Sequence, residues 1–89
     1  MIVPMASVVF YTRRGCCLCD DALAVVEAAR AEAAFSLEIV DIDGDPALVA
    51  RWGDKIPVVT VDGRMHAKYR VDREALLRRV RAPREGASP

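Results

Sequence analysis

Three cysteines fall within four positions, Cys16-Cys17-Leu18-Cys19, and of all the side chains in this 89-residue chain they are the best suited to chemistry. Cys16 and Cys19 stand three apart. If a helix begins here, both side chains lie on one face of its first turn, and their Cα atoms come within the roughly 7 Å that a disulfide requires. Cys16 then sits at or just before the N-cap, where unpaired backbone N–H groups and the positive end of the helix dipole favour an anion. A thiol so placed drops from about 8.5 into a range of about 3.5–7.5 and becomes a nucleophile. Arg13 and Arg14 add positive charge upstream, while Asp20 and Asp21 oppose it. Cys19, deeper in the helix, stays a thiol until it attacks a mixed disulfide on Cys16. Position alone therefore makes Cys16 the nucleophile and Cys19 the resolving cysteine, with Cys17 turned away into packing. The same sulfurs could instead hold zinc, copper(I) or, across a dimer, an iron–sulfur cluster. No second C-x-x-C and no nearby histidine complete a four-ligand set, so no metal residues are assigned.

Composition limits what such a pair can serve. Thirteen basic residues balance thirteen acidic ones, which removes the electrostatic reason to expect nucleic acid or an anionic membrane as partner. Met1 to Phe10 has no basic lead-in and does not read as a signal peptide. No apolar run approaches the roughly 18–20 residues of a membrane span. The expectation is a soluble, cytoplasmic monomer, in a compartment where clustered cysteines signal reactivity more often than a structural disulfide.

The elements that must position the cysteines can be read in order. Ser7–Tyr11 is a β-branched and aromatic run, hence a strand, followed by a turn at Arg13-Arg14-Gly15. From Cys17 to about Ala34 the apolar residues Leu18, Ala22, Val25, Val26, Ala29 and Ala33 recur at helical spacing. Phe35–Val40 alternates Leu37 and Ile39 against Ser36 and Glu38 as a second strand. Asp45 and Pro46 open a short helix as N-cap and first residue. Pro57–Val61 is a third strand, Asp62-Gly63 a tight hairpin turn, and Arg64–Tyr69 a fourth strand. A last helix starts at Asp72, with Val71 and Leu76 placed as a hydrophobic staple. The predicted class is α/β, β-α-β-α-β-β-α, a four-stranded mixed sheet flanked by three helices: one domain over residues 1–82, and a frayed tail over 83–89.

Tyr11-Thr12-Arg13-Arg14-Gly15-Cys16-Cys17-Leu18-Cys19-Asp20 resembles the strand, basic residue and C-x-x-C of the glutaredoxins, within the thioredoxin-fold superfamily. It is most similar to the short bacterial glutaredoxin-like proteins with a G-C-x-L-C motif. Ile56-Pro57-Val58-Val59 resembles the second hallmark of that family, a cis proline at the start of a strand facing the cysteines. The resemblance implies thiol–disulfide exchange, with the backbone of Ile56 pairing with the bound thiol substrate beside Pro57. Tyr11 and Arg13, in the lead-in to the motif, join them as substrate-binding candidates. It implies no resident cofactor, glutathione as a co-substrate, and a disulfide-containing protein or glutathione mixed disulfide as partner. Two stretches depart from the family: Cys17-Leu18 stands where Pro-Tyr or Pro-Phe is common, and Lys68-Tyr69-Arg70-Val71-Asp72 lacks the usual Gly-Gly pair.

Other features read as structural. Asp41, Asp43 and Asp45 alternate like the opening of a calcium loop, but Pro46 and Trp52 occupy the positions where that loop needs Gly and an acidic group. His66 reads as a strand residue and Trp52 as packing beside the second helix. Two readings remain beside the enzyme: a thiolate binding module, and an interaction subunit of the same fold with weak redox turnover.

Overall fold

The computed structural model describes residues 6–15 and 17–82. Its elements follow the predicted order: β1 (Ala6–Thr12), α1 (Cys17–Glu32), β2 (Phe35–Asp41), α2 (Pro46–Trp52), β3 (Val58–Val61), β4 (Arg64–Lys68) and α3 (Arg73–Arg81). The strands form one mixed sheet in the order β2-β1-β3-β4. β1 runs parallel to β2 and antiparallel to β3, and β3 is antiparallel to β4. The expected tail at 83–89 lies outside the described residues.

Local chemistry accounts for most of the boundaries. Asp45 accepts from the Ala47 amide at 2.9 Å and Pro46 takes the first helical position, so α2 starts where its cap dictates. Asp72 caps α3 in the same way, accepting from the Ala75 amide at 3.0 Å. The hairpin turns at Asp62 and Gly63, both with positive φ, which is the primed geometry that matches the twist of paired strands. The connection after β2 is more ordered than expected. Ile42–Gly44 forms a 3-10 turn capped by Asp41, which accepts from the Asp43 amide at 2.9 Å, and Ile42 is fully buried.

The core joins Val8 and Phe10 of β1, the valines of β3, Phe35, the inner face of α1 and Leu76, Leu77 and Val80 of α3. Each large side chain fully buried there contributes roughly 1.5–3 kcal/mol. Two residues expected to face inward do not. Ile39 is 51% exposed, because β2 is an outer strand of the sheet. Leu18 is 44% exposed, because the buried stripe of α1 runs Cys19, Ala22, Val26, Ala29, and the inward position of the first turn belongs to a sulfur. α1 and α3 are also tied at their ends: Arg73 pairs with the Glu32 carboxylate and Arg81 donates to the Glu32 carbonyl at 3.3 Å.

Candidate active site

α1 begins at Cys17 and carries Cys19, and its phase decides where that cysteine faces. Cys19 lies in the first turn and is 5% exposed, yet it lines an open pocket of about 490 Å³ with Thr12, Arg13, Arg14, Gly15, Asp20 and Asp41. Cys16 lies outside the described residues, as does the side chain of Cys17. Gly15, just before Cys16, has φ of 81° and open space where a Cβ would be, so the turn into α1 needs glycine for its backbone conformation alone.

The acidic pair after Cys19 is split between two surfaces. Asp20 lines the Cys19 pocket, and Asp21 lines a second groove. Arg13 borders the Cys19 pocket, but its guanidinium is engaged elsewhere. Nε and Nη2 donate to Asp43 Oδ1 at 3.0 and 2.7 Å, and Nη1 donates to the Gly53 carbonyl at 3.4 Å. Its charge is thereby committed to a carboxylate, and its reach ties the end of β1 to the C-terminus of α2. The alternating aspartates that resembled a calcium loop are explained by these bonds: Asp41 caps the 3-10 turn, Asp43 holds Arg13 and Asp45 caps α2. Among the described residues no group of three His, Cys, Asp or Glu is gathered as a metal site would need.

Tyr11 packs against Trp52 with ring centroids 5.7 Å apart, and Arg51 lies over the Trp52 ring at 4.6 Å. Trp52 thus closes α2 onto β1, on the opposite strand face from Phe10. Gly53 follows at once, where a Cβ would meet the Val49 carbonyl oxygen at 2.5 Å, so only glycine allows this close C-cap. From there the chain runs through Asp54 and Lys55 to Ile56 and Pro57, both buried, joined by a cis peptide as the family resemblance implied. Lys55 bonds the Asp54 carboxylate at 3.2 Å and holds its pKa below the ordinary carboxylate range.

Sequence reasoning misses the role of Tyr69, reading it as the end of the fourth strand in a stretch without a glycine pair, whereas β4 ends at Lys68. In the structure Tyr69 itself takes φ of 67°, and the Arg70 amide donates back to the Lys68 carbonyl at 2.7 Å around it. That is a three-residue turn of the strained kind, and a left-handed backbone costs a non-glycine residue about 1–2 kcal/mol. The Tyr69 amide donates to the Pro57 carbonyl at 2.8 Å, and its hydroxyl donates to the Asp54 carbonyl at 2.9 Å. The ring, 44% exposed, shares a groove of about 260 Å³ with Leu18, Asp21, Ala22, Val25, Arg70 and Val71. This groove lies between the N-terminal part of α1 and the connection from β4 to α3. No local sequence signal marks such a residue, because both hydrogen bonds reach a distant part of the chain.

The family model for the Glutaredoxin-like domain (DUF836) matches residues 7–81. The "Uncharacterized protein Rv0508" of Mycobacterium tuberculosis is 32% identical over 83 residues, which cover 88% of this chain and 86% of that protein. Among solved structures, protein Ne2328 of Nitrosomonas europaea superposes with a TM-score of 0.77 at 26% identity, covering 90% of this chain and 96% of that one. Protein XcR50 of X. campestris gives 0.69 at 30% identity, covering 92% and 99%. A mutant thioredoxin of Halobacterium salinarum is similar in fold, with a TM-score of 0.64 at 20% identity, covering 84% of this chain and 71% of that one.

Proposed function

Since the chain belongs to the glutaredoxin-like domain family and has the thioredoxin fold, we propose that it is a thiol–disulfide oxidoreductase working through Cys16 and Cys19. The observation that carries this reading is Cys19 itself, a sulfur in the first turn of α1 that is enclosed by the core yet borders an open pocket. Its sequence neighbour three residues earlier, Cys16, directly precedes α1 and is the attacking group.

The exchange balances without any further cofactor. The Cys16 thiolate attacks one sulfur of a substrate disulfide, an S–S bond forms to Cys16, and the substrate's own S–S bond breaks. The departing thiolate takes a proton from solvent. Cys19 then loses its proton and attacks the Cys16 sulfur, which closes the Cys16–Cys19 disulfide and releases the second substrate thiol. Two electrons pass to the substrate, and an external thiol, glutathione or a dithiol protein, restores the pair. The rate depends on the thiolate fraction at Cys16, its nucleophilicity and access to it. The backbone of Ile56 is the surface on which a disulfide-bearing protein or a glutathione mixed disulfide would align beside Pro57. Tyr11 and Arg13 act on the lead-in to that segment, Tyr11 packing on Trp52 and Arg13 donating to the Gly53 carbonyl. On this reading the protein works in the cytoplasm, as a monomer. Among the described residues no helix is long and apolar enough to cross a membrane.

Cys19→Ser tests the scheme by removing the resolving step. The variant should accumulate a mixed disulfide on Cys16, seen by mass spectrometry as one substrate thiol added per chain. No adduct, with Cys16 titrating as an ordinary thiol near about 8.5, would overturn the assignment.

A further inference from the structure

Tyr69 pays for its backbone conformation and must be held there by something. A tyrosine at φ of 67° is disfavoured relative to glycine, and outliers of this kind persist where the surroundings over-determine them. Here the surroundings are two hydrogen bonds to one short segment. The Tyr69 hydroxyl grips the Asp54 carbonyl and the Tyr69 amide grips the Pro57 carbonyl, so the two contacts bracket Lys55 and Ile56. The far side of the segment's start is held by Arg13, on the Gly53 carbonyl. The amide's hydrogen bond would survive any substitution except proline; the hydroxyl bond depends on tyrosine. Tyr69 also lines the groove with Leu18, one residue before Cys19, so the residue that holds the segment also borders the cysteine helix. Lys68 Nζ lies over the Tyr69 ring at 5.6 Å and adds a cation–π contact to its placement.

We propose that Tyr69 is a positioning residue for peptide substrates: its hydroxyl fixes the 54–57 segment so that the Ile56 backbone is presented to the main chain of a disulfide-bearing peptide. This rests on the oxidoreductase reading. A preordered segment lowers the entropy lost when a substrate pairs with it, so the residue acts on binding more than on the chemical step. It also makes the effect depend on substrate. A peptide has a backbone to pair with Ile56, and 2-hydroxyethyl disulfide has none.

The test compares Tyr69→Phe, which keeps the ring and loses the hydroxyl, with Tyr69→Gly, which relieves the backbone but loses the same bond. Both are assayed with an oxidised dithiol peptide and with 2-hydroxyethyl disulfide, dithiothreitol supplying the electrons. Both variants should raise KM for the peptide by roughly two- to tenfold, the value of one hydrogen bond. KM should move more than kcat, and more for the peptide than for 2-hydroxyethyl disulfide. Amide hydrogen exchange at Lys55 and Ile56 should quicken in both. If both variants keep the wild-type KM for the peptide, even with a lowered Tm, the hydroxyl is structural and the inference fails while the oxidoreductase reading stands. If the wild-type protein reduces neither disulfide, that reading fails and takes the inference with it.

Discussion

At Asp62-Gly63 the chain passes through left-handed backbone with φ of 52° and 84°; at Tyr69, after one strand, it does so again with φ of 67°. The first turn uses residues suited to the conformation. Aspartate tolerates it and glycine takes it without cost, and the space beside Gly63 is empty. The second uses a residue that is not suited, and is held by bonds to Asp54 and Pro57. The hairpin turn is therefore a local structure that the sheet accepts. The Tyr69 turn is a tertiary structure that the local chain resists, and the tertiary one borders the groove beside the cysteine helix.

The largest expected effect separates the two turns by what they lean on. Leu76 is fully buried in α3, which begins at Arg73, after Arg70, Val71 and Asp72. Leu76→Ala should cost about 2–5 kcal/mol in chemical denaturation. In native-state hydrogen exchange at low denaturant, Tyr69 should lose protection before the hairpin amides do. Equal loss at both turns would mean that the Tyr69 turn is no more dependent on packing than the hairpin. A smaller effect comes from reversing the residue choice. Gly63→Ala meets no neighbour and should cost the backbone term alone, about 1–2 kcal/mol. Tyr69→Gly regains a similar amount but loses a hydroxyl bond worth about 0.5–1.5 kcal/mol, so its net change in urea midpoint should be the smaller of the two. Matching losses would erase the contrast.

The smallest effect is read with pH, at the residue between the turns. The pairing of Val59 with Ala67 and Thr60 with Met65 leaves His66 as the extra residue of a β-bulge in β4. Burial, and after it the charge of Arg79, lowers its pKa from 6.5, with Asp72 opposing. The unfolded chain thus binds the proton more readily than the folded one. This contribution to stability is complete above about pH 6.5 and is lost as the pH falls from there through the lower folded value. His66→Gln should flatten that part of the stability–pH curve, and an unchanged curve would show that the bulge does not sense protonation.

Several of these features were legible in the residues and several were not. Caps and turns were, because Asp45-Pro46, Asp62-Gly63 and Asp72 act on amides within a few positions of themselves. The element order followed from hydrophobic periodicity for the same reason. The phase of α1 was misread at its start, where Leu18 and Cys19 compete for the inward position and the sulfur takes it. The chemistry of Arg13 was legible as charge but not as partner, since Asp43 and Gly53 approach it only after the strands align.

What the residues determined alone was the cysteine spacing, the helix that must follow it and the caps and turns that bound the elements. These depend on contacts between near neighbours, and side-chain type suffices to encode them. The tertiary structure alone decided that Cys19 takes the inward position ahead of Leu18, which carboxylate neutralises Arg13, and that a tyrosine should occupy a conformation suited to glycine. Those outcomes depend on groups far apart in the chain coming together, and the energy that favours them exists only once the sheet has done so.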